Sequence, residues 1–295
     1  MKIGIAGTGT MGSAIARRLM RMGRQVNVWN RSPGKALPLA GEGAQVIGTA
    51  AQLASYSDII LTILTNAEAI ESVYLGKDGL LSGDIRGKLF VEMSTVRPAT
   101  EQAIAEQTRK AGAAFIDCPV GGSVGPTSQG TLLGFAGGDA KDVERALPVL
   151  HQLCRRIEHL GPVGAGASMK LAANVQTQVY WQAFGEALSL VKHLNIEPAR
   201  LMDLFADTSG APKVLEHMAH DMVEALSGIV KPSKNFNIDN VRKDLRTIIE
   251  EARALGCEMP VVSKALEVYD QTSREGHGDT DCGVHPVLWS KRNGQ

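Results

Sequence analysis

The glycine pattern Gly7-Thr8-Gly9-Thr10-Met11-Gly12 constrains the fold of this chain more than any other feature of the sequence. It follows a short apolar run that predicts a strand, and residues 13–22 after it predict a helix, so the glycines join two elements of a β-α-β unit. In such a unit the first glycine permits the tight turn, the second lets a diphosphate approach the backbone, and the third lets helix and strand pack closely. These six residues are therefore predicted to bind a dinucleotide, with its diphosphate at the helix N-terminus.

The first half of the chain alternates β-branched runs with longer helical stretches, and the second half does not. The alternation predicts an α/β domain of the Rossmann type with a mostly parallel sheet, followed by an all-α domain. The predicted strands are 2–5, 25–29, 59–64, 89–92, 114–117 and 132–136. The predicted helices of the second half are 167–193, 197–207, 211–226, 238–255 and 260–274. A Gly/Pro cluster at 161–166 places the boundary between 1–162 and 163–295, and we expect the residues from about Val287 to be loosely held.

Charge and composition limit the partners of this chain. It has 295 residues with 31 Lys+Arg and 31 Asp+Glu, and a net charge of zero argues against binding to nucleic acid or to an anionic membrane. No apolar run is long enough to span a bilayer, and the chain opens as a strand rather than a signal peptide. The cysteines are scattered, without a Cys-x-x-Cys pair, which predicts reduced thiols, no metal site and a cytoplasmic location.

The end of the second predicted strand indicates which dinucleotide binds. Enzymes that use NAD usually have Asp or Glu there to hold the ribose 2′-hydroxyl, but this chain has Asn30-Arg31-Ser32. Arg31 can pair with a 2′-phosphate, and Asn30 and Ser32 can donate hydrogen bonds to it. We therefore expect NADP, as NADPH, to be preferred over NAD, with an exposed turn arginine as the alternative interpretation of Arg31.

Polar residues follow one face of the first long helix of the second half. Lys170, Asn174 and Gln178 are spaced four apart, which places them on one side of a helix that is otherwise small and apolar. Such a lysine can serve as a general acid when it is partly desolvated. From spacing alone the favoured interpretation is a lysine that extends its amine to solvent at the domain edge.

A glycine-rich loop runs from Asp117 to Pro126 after a predicted strand. Its exposed N–H groups around Gly121 and Gly122, together with the Ser123 hydroxyl, can bind a carboxylate. A plain connecting loop is the equally weighted alternative.

Taken together, these motifs resemble the β-hydroxyacid dehydrogenase family, which includes 3-hydroxyisobutyrate dehydrogenases, tartronate semialdehyde reductases and glyoxylate or succinic semialdehyde reductases. The resemblance extends over the whole chain. It is carried, in chain order, by the glycine pattern, Leu64, Met93-Ser94-Thr95, Asp117 to Ser123, Gly164-x-Gly166-x-x-x-Lys170-x-x-x-Asn174 and Lys243-Asp244-Leu245. Around Arg31, Lys170 and Ser123 the sequence looks most like the NADP-linked glyoxylate/succinic semialdehyde reductases.

The resemblance implies a role for each matching residue and overturns the solvent-exposed interpretation of Lys170. Lys170 would be the catalytic acid/base and Asn174 its supporting catalytic residue. The substrate-binding residues would be Ser94, Gly121, Gly122, Ser123 and Lys243. Leu64, Thr95 and Lys243 would contact the cofactor in addition to the glycine pattern and residues 30–32. The family also implies a small carboxylate substrate and a homodimer or homotetramer.

The function that these expectations define is an NADP(H)-dependent oxidoreductase that interconverts a short 3-hydroxy acid, or ω-hydroxy acid, and its semialdehyde. One departure from the family pattern is Gly121, which stands where relatives have a serine. That glycine keeps open an imine reductase or reductive aminase on the same fold, although Lys170 argues against it. A third hypothesis, a nucleotide-binding module without catalysis, is also opposed by Lys170.

Overall fold

The computed structural model describes residues 1–233 and 235–292. The chain forms two compact units, Met1–Ala172 and Ala173–Gln295, so the division between them falls inside one long helix. The boundary that we predict from the sequence, between residues 162 and 163, lies just before that helix begins.

The first unit contains a six-stranded sheet in which every neighbouring pair of strands is parallel. Its strands are β1 (Ile3–Ala6), β2 (Val26–Trp29), β3 (Gln45–Val46), β4 (Ile59–Thr62), β5 (Leu89–Glu92) and β6 (Ala114–Asp117). The spatial order β3-β2-β1-β4-β5-β6 reverses direction between β1 and β4. Doubly wound sheets of this kind bind ligands beyond the carboxyl ends of their strands, at that reversal. The predicted Rossmann-type fold is therefore confirmed.

Both faces of this sheet are covered, which explains why its strands are apolar without alternation. Residues such as Ile5 and Val91 pack into one hydrophobic layer, and Ile60, Phe90 and Phe115 pack into another on the opposite face. The helices of this part of the chain are α1 (Thr10–Arg21), α2 (Leu37–Ala40), α3 (Ala50–Ser55), α4 (Ala67–Leu75), α5 (Pro98–Lys110), α6 (Val124–Gln129) and α7 (Ala140–Leu150).

A second sheet of three strands follows in the same unit. It has the order β7 (Val120–Gly121), β8 (Leu132–Ala136) and β9 (Cys154–His159), with β7 antiparallel to β8 and β9 parallel to it. Our prediction of a strand at 132–136 is confirmed, whereas β3, β7 and β9 were not predicted. Two of these are only two residues long, and β9 carries consecutive exposed arginines, so neither length nor apolar pattern marked them.

The second unit is helical, as predicted. Its helices are the last part of α8 (Ala165–Val191), followed by α9 (Pro198–Ala206), α10 (Lys213–Leu226), α11 (Ile238–Ala254), α12 (Pro260–Thr272) and α13 (His285–Arg292). The expectation of a loosely held end from Val287 is wrong for the residues up to 292. Val287 and Leu288 are buried in α13, whose start packs so closely on α8 that a Cβ at Gly185 would lie 3.0 Å from Pro286. Residues 293–295 lie outside the described residues.

Across residues 1–233 and 235–292, no helix has the length and apolar character required to cross a membrane.

Candidate active site

The three glycines of the turn between β1 and α1 have three different environments. Gly7 has a φ of +99°, and a Cβ there would lie 2.3 Å from the Ile63 carbonyl oxygen. A Cβ on Gly12 would lie 1.8 Å from the carbonyl oxygen of Gly7, so neither position accepts a side chain. A Cβ on Gly9 would meet nothing within 4 Å.

Gly9 is the N-cap of α1 and supplies no side-chain cap, and the first turn of the helix has no acidic residue. Open space and uncapped N–H groups at a helix N-terminus fit a diphosphate.

Asn30 connects the glycine turn to the end of β2. Its Oδ1 accepts a hydrogen bond from the Thr8 N–H at 3.0 Å, and its Nδ2 donates to the Ser32 carbonyl at 3.0 Å. The amide thereby holds the turn, and because Nδ2 has a second hydrogen, donation from Asn30 to a cofactor stays a prediction. Arg31 is exposed and, within the described part of the chain, its guanidinium has no hydrogen bond or ion pair.

The ends of β4 and β5 are joined by the predicted site residues Leu64 and Ser94. The Leu64 N–H donates to Ser94 Oγ at 2.7 Å, and Ser94 Oγ donates to Glu92 Oε1, which also accepts the Ser94 N–H at 2.9 Å. Ser94 is buried, so its hydroxyl serves as a link between two strand ends. Contact of Ser94 with a substrate stays a prediction, as does contact of the neighbouring Thr95 with a cofactor.

Asp117, the last residue of β6, joins the glycine-rich loop to the helix that carries Lys170. Its Oδ1 accepts the Gly164 N–H and its Oδ2 accepts the Ala167 N–H, both at 2.8 Å. Burial raises the pKa of Asp117 to about 6, while the hydrogen bonds from the backbone act in the opposite direction. The Asp117 carboxylate therefore caps the N-terminus of α8, in the turn that precedes Lys170. The sequence alone does not assign this role to Asp117.

The loop residues 121–123 differ in what their backbones allow. Gly121 lies in β7 outside the left-handed region, and a Cβ there would make ordinary contacts of 3.7–3.8 Å with Leu133 and Phe135. Gly122 has a φ of +122°, and a Cβ there would lie 2.7 Å from Leu132 Cδ2. Gly122 and Ser123 are exposed, as a carboxylate-binding loop requires.

In the second unit, Asp244 brings together Asn174 and Lys243. Asp244 is buried, its Oδ2 accepts a hydrogen bond from Asn174 Nδ2 at 2.8 Å, and its Oδ1 lies 2.5 Å from Lys243 Nζ. Gln178 Nε2 also donates to Oδ2, at 3.4 Å. Sequence reasoning gave Asp244 no role of its own. The signal was present, because a carboxylate at position 244 lies on the apolar face of α11 that Val241 and Ile248 define.

Lys170 is half-buried on α8 in the first unit, four residues before Asn174 on the same helix. The aromatic residues that follow on α8 belong to the helical core of the second unit. Trp181 is buried, and Tyr180 stacks on Phe184 with 5.6 Å between ring centroids.

Comparison with known proteins gives matches over both halves of the chain. Residues 2–161 match the family model described as the NAD binding domain of 6-phosphogluconate dehydrogenase. Residues 164–284 match the model described as NAD-binding of NADP-dependent 3-hydroxyisobutyrate dehydrogenase.

Individual relatives agree with the family models. A glyoxylate/succinic semialdehyde reductase of Arabidopsis thaliana is 30% identical over 95% of this chain and 77% of its own length. A 3-hydroxyisobutyrate dehydrogenase of Pseudomonas aeruginosa is 31% identical over 90% of each chain. The solved 3-hydroxyisobutyrate dehydrogenase of Salmonella typhimurium superimposes with a TM-score of 0.86 at 25% identity, covering 98% of this chain and 99% of that one.

The contrast between Gly9 and Gly12 predicts that two identical substitutions have different effects. Gly9→Ala should leave the melting temperature unchanged, because its Cβ enters open space, but should weaken dinucleotide binding about tenfold or more by displacing the diphosphate. Gly12→Ala should lower the melting temperature, because its Cβ collides with a backbone oxygen. Calorimetry of both variants checks this, and a loss of stability in Gly9→Ala would contradict the assignment of that space to a ligand.

Proposed function

Because the chain belongs to the β-hydroxyacid dehydrogenase family, we propose that it interconverts a short 3-hydroxy acid, or ω-hydroxy acid, and its semialdehyde with NADP(H). The family consists of NAD(P)-dependent oxidoreductases that act on hydroxy acids and their aldehydes. The observation that best supports this more specific proposal is the position of Asp117 between the candidate substrate loop and the helix of Lys170. One carboxylate caps the helix of the candidate acid Lys170 and ends the strand that leads into the candidate substrate loop.

Each residue of the proposed mechanism has a distinct task. NADPH, when bound, supplies the hydride to the carbonyl carbon. The Lys170 ammonium donates a proton to the carbonyl oxygen during reduction and takes it back during oxidation. Asn174, whose Nδ2 is engaged by Asp244, keeps its Oδ1 for the substrate or for a donor beside it. The N–H groups of Gly122 and Ser123 hold the substrate carboxylate.

The proposed preference for NADP rests on the end of β2. No carboxylate is present there to repel a 2′-phosphate, and Arg31 is exposed beside the glycine turn that Asn30 holds in place. A guanidinium pairs well with a phosphate because its donors match the phosphate oxygens in charge and geometry.

The size of the substrate is proposed from Gly121. Gly121 lies outside the left-handed region, so its backbone does not require a glycine. The absence of a side chain there leaves space beside Leu133 and Phe135. We favour a substrate larger or more apolar than glyoxylate at this point.

We also propose that the chain assembles as a homodimer or homotetramer in the cytoplasm. Several large apolar side chains of the second unit are exposed, among them Leu190, Leu255 and Val261. Association of copies would remove such surface from water. The mass of the protein in solution tests the proposed assembly.

Replacement of the proposed acid should affect the chemical step. Lys170→Ala should lower turnover by about 10²–10⁴-fold, the usual contribution of a general acid, with little change in NADPH affinity. Stopped-flow measurement of NADPH oxidation provides the rate. Lys192→Ala, an exposed lysine after the same helix, is the control and should retain full activity. Near wild-type turnover in Lys170→Ala would show that another group moves the proton.

Replacement of Arg31 should affect the choice of cofactor. Arg31→Ala should weaken NADPH binding by about 1.5–3 kcal/mol while sparing NADH, because only NADPH has the 2′-phosphate. Fluorescence titration with both cofactors measures the difference, with exposed Arg86→Ala as the matched control. Equal losses for NADPH and NADH would mean that Arg31 does not contact the 2′-phosphate.

Replacing Gly121 by the serine that relatives have should improve activity on small substrates and reduce activity on larger ones. Gly121→Ser should fold normally, since its Cβ has room, and should lower KM for glyoxylate by roughly tenfold through a new hydrogen bond to the carboxylate. Activity on the preferred, larger substrate should fall. Kinetics of both proteins with glyoxylate, succinic semialdehyde, tartronate semialdehyde and methylmalonate semialdehyde test this. Improvement with every acid, including the best one, would refute the larger-substrate proposal.

The same panel tests the proposed function as a whole. NADPH oxidation with at least one semialdehyde acid is the expected result. NADPH oxidation that requires an amine together with a ketone, and is absent with every semialdehyde, would instead indicate an imine reductase. NADPH binding without turnover of any substrate would indicate a nucleotide-binding module.

A further inference from the structure

Three polar side chains form a buried row at the carboxyl edge of the parallel sheet. Thr62, Glu92 and Asp117 end the adjacent strands β4, β5 and β6, and the strand register pairs Thr62 with Glu92 and Glu92 with Asp117. All three are completely buried. Because burial of a carboxylate is unfavourable unless hydrogen bonds compensate it, such a row needs a physical explanation. The buried Asp117 carboxylate is explained by the cap that it forms on α8. None of the hydrogen bonds of Glu92 involves α8, so its burial needs a different explanation.

Glu92 instead accepts three hydrogen bonds that join two strand ends. Thr62 Oγ1 donates to Oε2, and the N–H and hydroxyl of Ser94 donate to Oε1. The single Ser94 hydroxyl proton is used in this way, so the oxygen is left to accept the Leu64 N–H at 2.7 Å. Tyr74 completes the network with its hydroxyl 2.9 Å from Thr62 Oγ1. Glu92 therefore determines the backbone position at Leu64 and at Ser94, next to Thr95.

A second buried carboxyl group nearby lacks these partners. Glu101, in the first turn of α5, is 1% exposed, and neither of its oxygens has a hydrogen-bond partner within the described residues. Burial, together with the negative charges of Glu92 and Asp117, raises the pKa of Glu101 well above its ordinary value. Burial also raises the pKa of Glu92, but the hydrogen bonds from Ser94 and Thr62 oppose that shift. Hydrogen bonds therefore stabilise the Glu92 carboxylate, and within the described residues none stabilises the Glu101 carboxyl group.

We propose that Glu92 is a positioning residue for the nicotinamide half of the cofactor, acting through Ser94 and the Leu64 backbone. The inference rests on the proposed function, because the resemblance to the family is what places Leu64 and Thr95 beside that half. The glycine turn and Arg31 lie at the ends of β1 and β2, and none of the hydrogen bonds of Glu92 reaches them. Glu92 should therefore influence one half of the dinucleotide and leave the other half unaffected.

The test compares Glu92→Gln with Glu101→Gln, the same chemical change at two equally buried positions. An amide at 92 presents an N–H₂ group to a side chain that now donates to the carboxylate, either Thr62 or Ser94, so at least one hydrogen bond of the network is lost or reversed and the support of the two strand ends is weakened. Binding is measured with two probes, NADPH and 2′-phospho-ADP-ribose, which lacks the nicotinamide. Glu92→Gln should weaken NADPH about tenfold and leave 2′-phospho-ADP-ribose within about twofold of wild type. Glu101→Gln should leave both probes at wild-type affinity.

Other outcomes overturn the inference. Equal weakening of both probes by Glu92→Gln would show a general loss of structure, and unchanged NADPH affinity would show no positioning role. Thr62→Val keeps the side-chain shape and removes one donor to Glu92, so it should show the same selectivity with a smaller loss. It decides the question if Glu92→Gln does not fold. If the wild-type protein binds neither NADPH nor NADH, the proposed function itself fails. If wild type binds NADPH but the two probes respond alike, only the role of Glu92 is refuted.

Discussion

The hydrogen bonds between the Asp117 carboxylate and the first N–H groups of α8 are the contact on which the candidate site depends. Helix N-termini leave N–H donors without partners. A carboxylate accepts hydrogen bonds from these donors and is itself stabilised by the positive end of the helix dipole. Here both oxygens are used, one by Gly164 and the other by Ala167. Close packing accompanies the contact, because a Cβ on Gly166 would lie 2.1 Å from the Phe135 carbonyl oxygen. Two motifs that are separated by 40 or more residues in the sequence are thus parts of one local structure.

The sequence predicts the parallel sheet and the helical second unit correctly because both have strong local signals. Fully buried strands such as β4 and β5 begin with three consecutive apolar residues, and α11 has an apolar face with helical spacing. The elements that were missed lack such signals. Strand β9 is charged because it lies at a sheet edge, and α13 is short and has a polar end, although tertiary packing buries its first residues. Their formation depends on contacts with distant parts of the chain, which no local pattern records.

The same distinction applies to the candidate site. Motifs identify residues with unusual chemistry, such as Lys170 and the glycines, but the residues that orient them are recognised only by their contacts. Donation from Asn30 to a ligand stays a prediction, but only the structure reveals that its amide connects the glycine turn to β2. The sequence gives no sign of a role for Glu92 and presents Asp244 only as part of a motif, since acidic residues are common and burial is what makes these two exceptional.

The neighbouring glycines 121 and 122 have a consequence for how this enzyme family can diversify. Gly122 is restricted by its backbone angle and by Leu132, so nearly every replacement there harms the folded state before it changes the chemistry. Gly121 has no such restriction, and small side chains fit beside Leu133 and Phe135. Under the proposed role of this loop in holding the substrate, a small side chain at position 121 can change substrate preference at little cost to the fold, whereas a change at position 122 alters both together.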